Sequence, residues 1–198
     1  MNRRRFVTTS GALAAGALLP LPAAAQARWG AIHELRGRVL LNGRPMAPNS
    51  AVQPGQTITT GADGQVWFTL GGDAYFLRPG SELRLAPSLR DAVVEHLRLV
   101  TGALGATFRR GARRTVVADT VTIGIRGTGI YVDTGPDATY VCACFGAAEL
   151  NSAADHGLLR AEHHAARWIR RTDPRILPGK MENHTDEEMS RLERLAGR

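Results

Sequence analysis

Both cysteines of the chain fall two residues apart, in Cys142-Ala143-Cys144. On a β-strand, positions i and i+2 point to the same face, with Cα atoms about 6.6–6.8 Å apart. That separation is at the upper edge of what a disulfide tolerates, so a Cys142–Cys144 bridge would strain a regular strand. Two thiolates on one face can instead converge on a metal ion, with bonds of about 2.3 Å. Four of the six histidines follow the cysteines: His156, His163, His164 and His184. The expected ligand set is Cys142 and Cys144 with His163, His164 and His184. Cys₂His₂ ligation suits Zn²⁺, and thiolate richness also suits Cu(I) or an iron centre. Two other fates stay open for the cysteines. One is a disulfide at a bulged strand, as exported proteins often carry; the other is a pair of buried free thiols.

The histidines differ in context. His163-His164 taken alone reads as a surface pair. His184 lies just before a helix N-terminus, where positive charge is disfavoured, which favours a neutral imidazole able to ligate. Asp186, two residues on, is a candidate to orient such a ligand.

Other chemistry is sparse. Neither Gly-x-Ser-x-Gly nor His-Glu-x-x-His occurs, so no enzyme is expected and no catalytic residue is assigned. Gly124 to Gly129 carries no phosphate-loop lysine and no dinucleotide spacing opening a helix. Those glycines read as a strand kink or close backbone approach, with Arg126 bonded to carbonyls. Arg109-Arg110-Gly111-Ala112-Arg113-Arg114 reads first as a solvated hairpin tip and second as a site for an anionic lipid, a glycan or an acidic partner. No aromatics interleave with these arginines for base stacking, and nucleic acid is not an expected partner.

The elements that must position these residues are short strands. Asn42-Gly43 is a strong hairpin-turn signal. Val66, Phe68 and Leu70 alternate, as do Leu83 and Leu85. From about residue 37 to 146, turn signals recur every eight to twelve residues, a rhythm that predicts an all-β sandwich, roll or barrel. Val94–Val100 and Ala103–Arg109 read as two strands parted by a Thr101-Gly102 turn. After Gly146 the composition shifts towards His, Arg and Ala and the periodicity weakens. Thr185-Asp186-Glu187-Glu188 is a capping box. It opens a helix over 185–196 whose Met189, Leu192 and Leu195 form one apolar stripe. Glu187 and Arg191 are placed for an i,i+4 pair, and Gly197 for a C-cap. So short a helix is marginal alone and should dock on the β domain.

Residues 1–27 read as an export signal. Arg3-Arg4-Arg5 begins it, Gly11 to Leu21 is a mildly apolar core about half the length of a membrane span, and Ala25-Gln26-Ala27 fits a cleavage site, with Ala23-Ala24-Ala25 the alternative. Arg3-Arg4-x-Phe6 resembles a twin-arginine signal; an ordinary secretory signal is the other reading. Removing this segment takes the 25 basic residues to 22 against 18 acidic ones, and +4 on a mature domain says little about partners. The mature protein is expected to be periplasmic or secreted, without a transmembrane segment.

Gly55-Gln-Thr-Ile-Thr-Thr-Gly61, Gln65-Val-Trp-Phe-Thr-Leu70, Pro79-Gly-Ser-Glu-Leu-Arg-Leu85, Leu97-Arg-Leu-Val-Thr-Gly102 and above all Ile125-Arg-Gly-Thr-Gly-Ile-Tyr-Val132 resemble a FecR-type domain over roughly residues 35–150. The resemblance implies an extracytoplasmic β-rich module that binds or senses. In the founding members of that family, such a domain relays a signal from an outer-membrane transporter to a sigma factor. Those regulators carry a cytoplasmic helical segment and a membrane span ahead of the domain, where this chain has an export signal. The pattern is also left behind at Cys-Ala-Cys-Phe-Gly. The expected organisation is a signal peptide (1–27), a FecR-like β domain (28–146) and a His- and Arg-containing tail (147–198). The partner class is an envelope protein or glycan.

Overall fold

A computed structural model describes residues 30–87, 94–111, 113–126 and 129–198. Arg3, Arg4, Ala25 and Ala27 of the export signal lie outside the described residues, as do Gly127 and Thr128 of the Arg-Gly-Thr element. The protein is mainly β, with many short strands and one C-terminal helix. In chain order the strands are β1 (Ala31–Arg36), β2 (Val39–Leu41), β3 (Arg44–Pro45), β4 (Thr57–Thr60), β5 (Gln65–Leu70), β6 (Asp73–Leu77), β7 (Glu82–Leu85) and β8 (His96–Thr107). Then come β9 (Arg113–Val117), β10 (Val121–Arg126), β11 (Gly129–Thr134), β12 (Ala138–Ser152), β13 (His156–Ala161), β14 (Ala165–Arg170), β15 (Leu177–Gly179) and helix α1 (Asp186–Leu195). None of the described helices is long and apolar enough to cross a membrane.

The strands form two layers joined by two long strands. The first sheet runs β1-β5-β6-β8-β11-β12-β14-β15, antiparallel throughout. The second runs β13-β12-β10-β9-β8-β7-β4-β2-β3, antiparallel except where β8 meets β9. Strand β8 pairs with β7 as far as Thr101 and with β11 from Gly102 onwards. Strand β12 pairs with β14 up to Ala143 and with β11 up to Phe145, then with β13 from Gly146. Gly102 (φ 77°) and Gly146 (φ 88°) sit at the two crossings. Their left-handed backbone lets one strand bend from sheet to sheet, the corner device of a closed sandwich.

Thr101-Gly102 is therefore not a turn: β8 continues through it. The composition shift after Gly146 falls inside β12, and the His- and Arg-containing stretch that follows adds β13, β14 and β15 to the sheets. Arg109–Arg114 is no hairpin tip either. It carries the chain from the first sheet to the second, where β9 lies parallel to β8.

Period-two alternation sorts the side chains into two apolar clusters. Between the sheets lie Val66, Phe68, Tyr75, Leu104, Val132, Val141 and Ala143 from the first, with Ile58, Leu83, Leu97, Val116, Ile123 and Leu150 from the second. The outer face of the first sheet carries Trp67, Phe76, Ala103, Tyr131, Tyr140, Cys142 and Cys144, and Met189 and Leu192 of α1 cover it. Burying those two side chains contributes about 1.5–3 kcal/mol each. The capping box forms as the sequence reads: Glu188 N–H donates to Thr185 Oγ1 (3.2 Å) and Thr185 N–H to Glu188 Oε2 (3.0 Å). Arg191 does not pair with Glu187. It reaches Glu34 on β1 (2.6 Å) and lies over the Trp67 ring (4.2 Å), because docking offers a half-buried carboxylate and an aromatic face. Arg126 is exposed and pairs with Glu149 on β12 (2.6 Å) rather than with carbonyls.

The strand crossing at Gly102 can be tested directly. A Cβ there would lie 2.4 Å from Ser81 Oγ and 2.6 Å from Ser81 Cα, and Ser81 Oγ already holds the Ala103 amide. Gly102→Ala is expected to cost about 2–4 kcal/mol. This would be read as a fall in the urea midpoint with the slope unchanged.

Candidate metal centre

The site lies on the outer face of the first sheet, where α1 begins. In β12 the pleat turns Val141 and Ala143 into the interlayer core and Cys142 and Cys144 outwards. Both thiols are buried and free. The β13–β14 connection brings in His164, whose amide donates to the Cys144 carbonyl (3.0 Å). The segment before α1 brings in His184. Tyr140 holds that segment: its hydroxyl donates to Lys180 O (2.9 Å) and accepts from Glu182 N–H (3.0 Å). Tyr131 stacks on the His184 ring at 4.5 Å, 14° from parallel. Arg78 ties down the start of the helix by donating to Asn183 O (2.7 Å), to Glu188 (2.9 Å) and to the Tyr131 hydroxyl (3.2 Å).

One potential ligand atom from each of Cys142, Cys144, His164 and His184 lies within 4.8 Å of all the others. Cys142 Sγ is 3.5 Å from His164 Nδ1, Cys144 Sγ is 3.4 Å from His184 Nε2, and the two nitrogens are 3.3 Å apart. With bonds of about 2.3 Å to sulfur and 2.05 Å to nitrogen, a tetrahedral centre would place S and N about 3.6 Å apart and two nitrogens about 3.3 Å apart.

The tautomers follow from the other ends of the rings. His184 Nδ1 is 2.7 Å from Glu182 O, which can only accept, so Nδ1 carries the proton. His164 Nε2 is 2.6 Å from the Asp186 carboxylate and must likewise donate. The lone pairs of His184 Nε2 and, in the neutral ring, His164 Nδ1 then face one another among two sulfurs. Lone pairs held together away from water need a proton or a cation between them. A ligating imidazole oriented through its other nitrogen by a carbonyl or carboxylate is the usual support of a metal ligand.

Without an ion, protons must serve. The Cys144 thiol beside it, then His184 and His164, hold Cys142 well below the usual thiol range against its burial. The hydrogen bond to Cys142, then burial, pushes the Cys144 thiol up. Burial works to lower His164, but the bonds to Asp186 and Cys142 outweigh it and raise it. In the cluster without an ion, Cys142 is thus biased towards the thiolate, and His164 holds its proton more tightly than an ordinary imidazole.

Backbone strain collects here. Three described non-glycine residues have positive φ, and two of them are His164 (45°) and Asn183 (63°), the neighbour of His184. Such conformations cost of order 1 kcal/mol or more and persist where the surroundings impose them.

Of the expected ligands, Cys142, Cys144, His164 and His184 come together. His163 does not join them. Its side chain is 72% exposed and contacts Asp186 (3.2 Å), which also serves His164 rather than its near neighbour His184. The surface pair is thus split, since the His164 side chain is only 8% exposed. His156 lies on the exposed end of β13, away from the cluster. Glu182 O and Tyr140 escaped the sequence reading, because a carbonyl has no residue signature and a tyrosine four positions before Cys144 reads as core.

No family model matches the chain, and no curated protein matches it. Two crystal structures of a candidate anti-sigma factor from Parabacteroides distasonis, at 1.65 and 2.50 Å, are similar in fold. Each has a TM-score of 0.55 at 14% sequence identity, over 64% of this chain and 60% of that one. The chain thus spans 60% of the length of the neighbour it matches.

A thiol whose folded pKa lies below its unfolded one contributes stability that is complete above the unfolded value and lost as pH falls through the folded one. The reduced, metal-free protein is expected to show ultraviolet thiolate absorbance at pH 7, where an ordinary thiol near 8.5 is protonated. Acidification should remove the band, and Cys142→Ser should abolish it. An ordinary thiol titration in the unsubstituted protein would contradict the assignment.

Proposed function

We propose that this chain is an exported FecR-type β module of the cell envelope, a binding or sensory protein, and that a tetrahedral Cys₂His₂ metal centre ties its C-terminal helix to the β-sandwich. The observation that carries the reading is the meeting of Cys142, Cys144, His164 and His184 with both imidazole tautomers set to turn a lone pair inwards. Four protein ligands and near-complete burial suit a closed, non-catalytic site, and the donor set suits Zn²⁺ first. Three separate segments supply the ligands: β12, the β13–β14 connection and the approach to α1. Metal loading would therefore decide how firmly α1 is held, which is the property a sensor needs. The two-layer β fold and its likeness to a candidate anti-sigma factor support the FecR-type assignment, and residues 1–27 support export.

Co²⁺ added to the reduced mature protein is expected to bind one ion per chain, with thiolate-to-cobalt absorption and the intense visible bands of tetrahedral Co²⁺. Zn²⁺ should displace it. At a hundred-fold excess over Kd, Zn²⁺ should stabilise the fold by about 2.7 kcal/mol. Cys142→Ser/Cys144→Ser should remove both effects. A Cys142–Cys144 disulfide in protein isolated without reductant, together with no bound metal, would replace the centre with a redox pair.

Export has its own test. Arg3→Lys/Arg4→Lys is expected to leave the precursor in the cytoplasm on fractionation. Unchanged export would point to the general secretory route.

A further inference from the structure

We propose that His163 and Asp186 form an outer capture site through which a hydrated divalent metal ion enters the buried centre, an inference that rests on the metal-centre reading above. The centre is sealed. Cys142 is 0%, Cys144 3% and His184 5% exposed, so an ion cannot reach the sulfurs directly.

Two routes lead towards it. His184 lines a cleft of about 530 Å³ with Tyr131, Asp133, Asn183, Thr185 and Arg78. The Arg78 guanidinium there opposes an entering cation. The other route passes His164. Its Nε2 faces outwards on to Asp186, which is 57% exposed and also meets His163 Nε2 at 3.2 Å from both carboxylate oxygens. The ligand atoms of His163, His164 and Asp186 lie within 4.8 Å of one another.

His163 has no structural task that explains this. It is mostly exposed, its polar partner is Asp186, and its ring touches only the edge of His164. An exposed ion pair contributes little stability. One imidazole and one carboxylate are, however, a fitting pair for a hydrated Zn²⁺-class ion. Two protein ligands with water completing the shell would hold it weakly enough to let it go.

Transfer then exchanges ligands without redox change. The ion leaves Asp186 and His163 and sheds its water. It forms bonds to Cys142 Sγ, Cys144 Sγ, His164 Nδ1 and His184 Nε2, and the remaining thiol and imidazolium protons depart to solvent. Asp186 returns to His164 Nε2–H, the bond that orients the ligand. Capture makes the second step intramolecular, at a high effective concentration.

The experiment follows Co²⁺ loading of the full mature, reduced protein by stopped flow, reading the thiolate-to-cobalt band, and then chelator-driven release. With His163→Ala, loading and release should both slow by about ten-fold, so that their ratio, the equilibrium affinity, holds within two-fold. His156→Ala, which removes an exposed histidine elsewhere, should change neither rate. Unchanged loading in His163→Ala would overturn the capture site and leave the centre standing. So would a loss of affinity equal to the loss of loading rate, since His163 would then belong to the resident ligand set. No cobalt band in the unsubstituted protein would remove the centre itself.

Discussion

A one-residue slip of β12 would turn Cys142 and Cys144 into the apolar layer between the sheets and bring Val141 and Ala143 to the face beneath α1. The chemistry of the site therefore depends on the register of this one strand. That register is fixed from both sides, by Val141 opposite Val132 on β11 and opposite Arg167 on β14. Beyond Gly146 the same strand is pinned again in the second sheet, with Ala148 opposite Ile125 and Leu159. A strand held by four neighbours in two sheets cannot slide without breaking all of them. The interlayer core thus sets where the thiols point, although both cysteines belong to the apolar cluster on the outer face.

The protein solves the problem of buried polar groups in two different ways. On β6, the fully buried Asp73 receives Arg114 Nε at 2.8 Å and the Arg109 amide at 2.8 Å. Its counter-charge comes from β9, so that buried pair is complete within the chain and links the two sheets. Removing either partner of such a pair costs about 3–5 kcal/mol. At Cys142, Cys144, His164 and His184 the chain supplies donors of electron pairs and no cation. Arg78, which shares a cleft with His184, is spent on Glu188, Asn183 O and Tyr131. Only protons or an ion from outside can complete this cluster, which is why it stands apart from the structural pair at Asp73.

The parts of this arrangement legible in the sequence are the local ones. The turn rhythm gives many short strands, the capping box gives α1, and the i,i+2 spacing places both sulfurs on one face. What the sequence hides is tertiary. Gly102 has the left-handed φ that serves a turn and a sheet-crossing bend equally, so Thr101-Gly102 reads as a turn until β7 and β11 are both seen against β8. Arg109–Arg114 reads as a solvated tip because nothing local announces Asp73 as the partner of Arg114. Glu187 and Arg191 have ideal helical spacing, yet Glu34 and Trp67 offer Arg191 more. His163 and His164 are adjacent in sequence and opposite in fate, because the left-handed backbone at His164 turns one ring inwards and leaves the other in solvent.

That strain bears on what the centre is for. His164 and Asn183 hold unfavourable backbone conformations at the two points where loops deliver imidazoles, and a ten-residue helix has little stability of its own. Both are easier to sustain if an ion adds its binding free energy only when the loops and helix are in place, since ligands scattered over three segments do not form a site in the unfolded chain. Four side-chain ligands would also complete a tetrahedral shell, leaving no position for a substrate. An ion here would act by holding strand, loop and helix together. Its free energy would be spent on the seating of α1 over Trp67, Phe76 and Tyr131, so the state of the helix and the occupancy of the centre would rise and fall together.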